Sequence, residues 1–268
     1  EGSSMGLVGP PGVGKTLLAK SVSEVLNIPF IQITLGGQND GELLHGHGYT
    51  YSGSQPGMIV RQMSKVSKSR CIIYFDELDK ACSKHGNTNE ITSILIHLTD
   101  PNMNKSFQDR FYQGIDFPLN KVILIFSYND SSLVDPILLD RIKEITIKPF
   151  SLNDKLHIVK NFIIPEISKN IGFEQYKINF SDTLIKYIID QYTNEAGVRN
   201  IKRKIEEIYM NLNLDKIYFK NIFKKNKNKN ITITKKYITT ILQKSYSDNI
   251  TIHPKSMVGI INGLYATT

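Results

Sequence analysis

Cysteine is scarce in this chain of 268 residues: Cys71 and Cys82 are the only two, and they do not form a CxxC pair. Two such thiols read as inert side chains of a reducing compartment, not as a disulfide framework. Long apolar runs are missing as well. None approaches the ~18 residues that a transmembrane helix needs, so no membrane partner is expected. The opening "EGSSMGLVGPPG" has no basic stretch leading into an apolar core, so it is not expected to be a signal peptide. It starts almost directly on a strand, and the expectation is a piece of a longer protein. No internal repeat is present.

Hydrophobic residues make up 40% of the chain and charged residues 22%, enough for a real core in one large domain or two smaller ones. The net charge is +8. Most of the excess lies late: Lys202, Arg203 and Lys204, then "FKNIFKKNKNKN" with Lys220, Lys224, Lys225, Lys227 and Lys229. This segment reads as a solvated lysine-rich loop, or as a weak nonspecific contact with nucleic-acid phosphates. No aromatic platform alternates with the lysines, so base stacking is unsupported.

Periodicity orders the first half into strands and helices. Strand runs are "MGLVG" (5–9) and "KVILIFSYN" (121–129), which read as buried, together with "FIQITL" (30–35), "CIIYFDE" (71–77) and "EITIKPF" (144–150). Between them, 15–27, 56–66 (opening with Pro56) and 90–98 carry helical spacing. Strands alternating with helices imply a parallel sheet covered on both faces. After Phe150 the pattern becomes mainly helical, including 181–192, with Ser181 as its cap, and the amphipathic 197–212. A polar break at 221–230 precedes "ITIT" (231–234) and a short helix near 235–243. The expectation is a helical second domain on an α/β first domain.

"GPPGVGKT" comprises Gly9, Pro10, Pro11, Gly12, Val13, Gly14, Lys15 and Thr16. It fits G-x-x-x-x-G-K-[ST] in the strand-to-helix context that a P-loop requires. The glycines let backbone N–H groups curl around phosphate oxygens, and the helix N-terminus adds partial positive charge. Lys15 is placed to reach the β- and γ-phosphates, and the Thr16 hydroxyl to hold Mg²⁺, so ATP or GTP binding is predicted. "IIYFDELDK" supplies Asp76, which ends a buried strand and can hold Mg²⁺ through water. Glu77 beside it is placed to polarise a water against the γ-phosphate, and such an acid pair indicates hydrolysis. "ILIFSYND" offers Asn129, which can orient water without titrating if its strand lies between the first strand and the Asp76 strand. "LLDRIKEI" offers Arg141 and "NEAGVRNIKRKI" offers Arg199; the arginine fork binds phosphate bidentately and stays charged.

In this order, P-loop, "FDELDK", "SYN", "LLDR" and "GVR" resemble an AAA+ ATPase. More specifically, the chain resembles the ATPase module of Lon-family ATP-dependent proteases over nearly its whole length. "LVGPPGVGKT", the stretch from "LGGQND" through "HGHGYTYSGSQPG", "LTDPNMNKSFQDRF" and "PILLDRIKEI" share in the likeness. So do "YTNEAGVRNIKRKI" and "VGIINGLYAT", the last being similar to the segment that leads into the Lon peptidase domain. The resemblance implies a P-loop AAA+ parallel sheet with helices on both faces over 1–150, a smaller helical lid over 151–248, and the start of a peptidase domain at 249–268. It implies ATP and Mg²⁺ as cofactors and a homo-oligomeric, six-membered ring acting on unfolded proteins in the cytoplasm or the mitochondrial matrix. Asn129 would be sensor 1, Arg141 the finger reaching a neighbour's ATP, and Arg199 sensor 2 on the lid. The family's peptidase serine and lysine lie in a later domain, so no residue here is nominated for peptide cleavage. Ser127 and Tyr128 replace the small residues that the family places before its sensor asparagine.

Two other readings share many of these motifs: a stand-alone AAA+ remodelling ATPase, and a DNA-bound AAA+ switch. The second is disfavoured by the lack of a winged-helix pattern. Within "HGHGYTYSGSQPG", His45 and His47 have no cysteine or carboxylate pattern to complete a zinc site. By the resemblance, Tyr51 stands where the family has its channel aromatic, Gly53 where it has the following glycine, and Ser52 in place of the usual aliphatic residue. These three are the expected substrate-gripping residues.

Overall fold

A computed structural model of the chain describes residues 2–37, 41–48, 52–66, 68–82, 90–219 and 230–242. Tyr51, the basic run from Lys220 to Lys229 and the segment 249–268 lie outside the described residues. The chain divides into two compact units, Glu1–Phe150 and Ser151–Thr268. No helix among the described residues is long and apolar enough to cross a membrane.

The first unit contains β1 (Ser4–Val8), α1 (Lys15–Leu26), β2 (Phe30–Thr34), α2 (Glu42–His45), α3 (Met58–Val66), β3 (Ile72–Asp76), α4 (Leu78–Cys82) and α5 (Glu90–Thr99). A short antiparallel hairpin, β4 (Phe107–Gln108) and β5 (Asp116–Phe117), follows, then β6 (Ile123–Tyr128), α6 (Pro136–Asp140) and β7 (Lys143–Thr146). Five strands form one parallel sheet in the order β2-β3-β6-β1-β7. The strand that carries Asn129 at its end therefore lies between β1 and β3, the place its proposed chemistry needs. Ligands of such open sheets collect beyond the carboxyl ends of the strands, where the order reverses.

Strand alternation sorts side chains to the two faces. On β3, Ile73 and Phe75 join the larger core with α3, α4 and α5, while Ile72 and Tyr74 join Leu7, Ala19 and Ile125 beneath α1. β3 and β6 are covered on both faces, which explains why they read as continuous apolar runs, while the edge strand β7 is exposed. The helix expected from Pro56 starts later, at Met58. Gly57 takes the position before it: its carbonyl accepts from the Arg61 N–H at 3.0 Å while its own N–H donates to Asp109 at 2.8 Å.

The second unit contains α7 (Leu152–Ile158), a wide π turn (Val159–Ile163), α8 (Ile164–Ile171), α9 (Asp182–Tyr192), α10 (Arg199–Leu214) and α11 (Lys235–Leu242). The wide turn lies just ahead of Pro165, which has no N–H to continue the regular ladder. Strands β8 (Lys177–Asn179) and β9 (Asn230–Thr232) pair in parallel. The core is apolar, with Phe173, Ile185, Ile188, Ile201, Ile205 and Ile208 fully buried. Ser151 starts α7 with a reciprocal capping box to Asp154. Ser181 caps α9 by accepting from the Leu184 N–H, as its place in the sequence predicts.

Candidate nucleotide site

The P-loop joins β1 to α1. Gly14, the residue before the helix, has φ +86°, a left-handed conformation that a β-carbon disfavours. The turn sets Lys15 as the first helical residue and curls its side chain back over the loop. Lys15 Nζ donates to the Gly9 carbonyl, to the Pro10 carbonyl at 3.3 Å and to Asn129 Oδ1 at 2.8 Å. Burial lowers the pKa of the Lys15 ammonium, against the opposing pull of Asp79 and Asp76. A half-buried cation held by weak neutral acceptors is ready to exchange them for phosphate oxygens.

The strand pleat assembles a second group on the α1 side of the sheet. Tyr74 and Asp76 stand two residues apart on β3, and Ser127 shares its face of β6 with Ile125. The Thr16 hydroxyl and the Tyr74 phenol are hydrogen-bonded at 3.0 Å. Ser127 donates to Asp76 Oδ1 at 2.5 Å, and the same oxygen accepts from the Glu77 N–H at 3.0 Å. Burial raises the Tyr74 pKa, so its phenol stays protonated. Thr16 and Asp76 are thus hard oxygen donors held in place by neighbouring hydroxyls, the donor type that Mg²⁺ prefers.

Glu77 follows β3 at φ +61°, left-handed for a residue with a β-carbon. Such a backbone costs of the order of 1–3 kcal/mol and collects at functional sites. Its carboxylate is ion-paired with Lys80 and lies directly over Gly36. A β-carbon on Gly36 would come within 1.8 Å of Glu77 Oε2, so glycine there leaves the acid its space.

Asp79 is the residue that motif reading passed over. It is only 4% exposed. Its Oδ1 accepts from the Lys80 N–H at 3.1 Å and its Oδ2 from the Asn129 N–H at 3.0 Å. It therefore ties the start of α4 to the backbone from which Asn129 reaches Lys15. The sequence signal is slight: one more acid in "FDELDK", whose partner lies on another strand.

The other expected residues are placed as follows. Tyr128 is fully buried on the face of β6 opposite Ser127, and its hydroxyl donates to Glu144 Oε1 at 2.7 Å. This bulky departure from the family pattern packs away from the P-loop face. Arg141 closes α6 just before β7 and pairs with Asp100 at 2.8 Å, which lowers the pKa of that carboxyl. Arg199 opens α10 in the second unit and is exposed. A cation disfavours a helix N-terminus, and the first backbone N–H groups of α10 are met by Glu195, which accepts from Asn200 at 2.6 Å and Ile201 at 3.2 Å. Arg199 is therefore not there to stabilise its helix.

Ser52 and Gly53 are exposed, Gly53 at φ +84°. The two histidines have separate partners: the His45 ring lies 5.0 Å from that of Phe107, and His47 Nε2 is 2.9 Å from Glu42 Oε2.

Known proteins resemble this chain in sequence. Residues 5–150 match the family described as ATPase family associated with various cellular activities (AAA). Residues 169–214 match the Lon protease AAA+ ATPase lid domain. A Lon protease homolog of Acanthamoeba polyphaga mimivirus is 55% identical over 230 residues, 84% of this chain and 22% of that protein. The Lon protease of Dictyoglomus thermophilum is 39% identical over 78% of this chain and 26% of its own length. A mitochondrial Lon protease homolog of Schizosaccharomyces pombe is 36% identical over 78% of this chain and 19% of its own length. The chain thus spans about a quarter or less of the relatives it matches. With its P-loop, its acid pair at the end of β3 and its matching lid, the chain belongs to the AAA family of ATPases and is a Lon-type module within it.

Proposed function

We propose that this chain is the ATP-hydrolysing motor of an ATP-dependent protease, unfolding protein substrates and threading them toward a peptidase outside the chain. The observation that carries the reading is the contact of Lys15 with Asn129 at 2.8 Å, beside the Asp76–Ser127 pair. P-loop cation, sensor amide and metal-binding acid, distant in sequence, meet at one end of the sheet.

The backbone of Gly9 to Gly14 cradles the phosphates, with Pro10, Pro11 and Val13 shaping the loop. Lys15 releases its carbonyl and amide acceptors to bind the β- and γ-phosphates. Thr16 and Asp76 would hold Mg²⁺, which when bound neutralises charge on the phosphate oxygens. Glu77 takes the proton of the attacking water as Asn129 orients it. Arg141, which the sheet puts beyond α6, serves the nucleotide of a neighbouring subunit in a homo-oligomeric ring, six-membered by resemblance. Arg199 senses the nucleotide of its own chain. Tyr51, Ser52 and Gly53 grip the polypeptide. The free thiols Cys71 and Cys82 suit a reducing compartment, the cytoplasm or the mitochondrial matrix.

The test is Glu77→Gln in the full-length protein. ATP binding measured by calorimetry should stay, while turnover falls by ~10²–10⁴, the range general-base catalysis supplies. Normal hydrolysis by this variant would remove Glu77 from the mechanism.

A further inference from the structure

The stretch "HGHGYTYSGSQPG" contains two glycines whose surroundings the nucleotide chemistry does not explain. A β-carbon on Gly46 would lie 2.6 Å from the Gly57 nitrogen and 2.9 Å from Asp109 Oδ1. One on Gly57 would lie 2.1 Å from the Leu44 carbonyl oxygen. The two ends of the loop thus pass each other at backbone contact, and His47 N–H donating to the Gln55 carbonyl at 3.1 Å closes them.

Asp109 sits at this crossing. It belongs to the β4–β5 hairpin, in "FQDRF", and is 1% exposed. Its Oδ2 accepts from the Gly57 N–H at 2.8 Å and its Oδ1 from the Phe111 N–H at 2.9 Å. The next residue reinforces the link, since the Arg110 N–H donates to the His45 carbonyl at 2.7 Å. A buried carboxylate is costly unless its oxygens find donors, and these two use one donor from the loop and one from the hairpin.

We infer that Asp109 is the positioning residue of the loop between Gly46 and Gly57: its carboxylate fastens the Gly57 end to the β4–β5 hairpin while the Arg110 N–H beside it holds the His45 end, so that both ends stay with the body of the unit. The functional consequence rests on reading residues 51–53 as the polypeptide grip: a fastened loop pulls its substrate, and an unfastened one slips. Asparagine cannot replace the acid, because its amide would direct N–H against one of the two backbone N–H groups.

Three measurements on the full-length protein test this. Hydrogen exchange on the unaltered protein should find the Gly57 and Phe111 amides protected; fast exchange at both would overturn the inference without any variant having to fold. In Asp109→Asn the Gly57 amide should exchange about tenfold faster, the factor that loss of one charge-assisted hydrogen bond supplies. A spin label on Ser52→Cys should also gain mobility in the Asp109→Asn background, and Gly57→Ala should reproduce the gain without a change of charge; an unchanged spectrum in both would defeat the clamp. The third measurement is the number of unfolded substrate molecules per ATP consumed, which should drop with the label's immobility. If the label loosens and this ratio stays constant, the clamp stands and the assignment of residues 51–53 to substrate falls.

Discussion

The two units handle polar groups in opposite ways. In the first, two carboxylates are buried among the described residues, Asp79 and Asp109, and both accept from backbone N–H groups on separate elements. In the second, the buried polar side chain among the described residues is Thr193, whose hydroxyl bonds back to the Ile189 carbonyl at 2.7 Å, one helical turn away. Among its described residues the second unit buries no charged side chain. A buried, fully bonded acid fixes the relative position of two chain segments, because freeing either donor leaves a group unsatisfied in a dry place. The first unit uses that property where chemistry needs precise placement. The second is a packed body with the exposed Arg199 at the start of α10.

The contrast can be broken at graded cost. Arg141→Ala should show the largest effect, a fall in ATP turnover of ~10³–10⁵. Mixing it with Lys15→Ala subunits should restore part of the activity, since each lacks what the other supplies; a steady-state ATPase titration with no recovery at any ratio would argue against a finger acting between subunits. Asp79→Asn should come next. It keeps one acceptor but opposes the other N–H, so stability should drop by about 1–3 kcal/mol in denaturant unfolding. Turnover should fall as well, since Asn129 loses its anchor, with nucleotide affinity changed less.

Two substitutions in the second unit sharpen the same comparison. Arg199→Ala should slow ATP hydrolysis and yet leave α10 as stable or raise its stability by about 0.3–1 kcal/mol, because a cation is removed from a helix N-terminus. Reduced thermal stability together with normal turnover would reverse its assigned role. Ser181→Ala should do the opposite and least of all: about 1 kcal/mol of stability lost with the cap, and hydrolysis unchanged when measured at a temperature where the protein stays folded.

Much of the candidate site's pattern was legible before any fold was known. Gly9 to Thr16 follow a local rule: a phosphate cradle is built from consecutive backbone N–H groups, so its requirements are written in consecutive residues. Asp76 and Glu77 were legible because a buried strand ends in them. Ser181 was legible because a cap acts within one helical turn. Other positions were not. Tyr74 and Ser127 looked like strand residues until the pleat turned them toward Thr16 and Asp76. Tyr128 stood out in the sequence as a bulky departure beside Asn129, and its position on the opposite face, bonded to Glu144, makes it part of the core. The helix expected from Pro56 starts at Met58, and the Gly57 N–H ahead of it goes to Asp109, far away in sequence.

By itself the sequence determined the local patterns: a P-loop motif between a strand and a helix, an acid pair at the end of a strand, and an α/β part that precedes a helical part. These properties depend on residue type and on spacings within one element. Tertiary structure alone decided the strand order that sets β6 between β1 and β3, and with it the meeting of Asn129 and Lys15. It also decided the roles of Asp79 and Asp109. Each acts by accepting from backbone N–H groups, and every non-proline residue carries one, so no side chain in the sequence marks the partner.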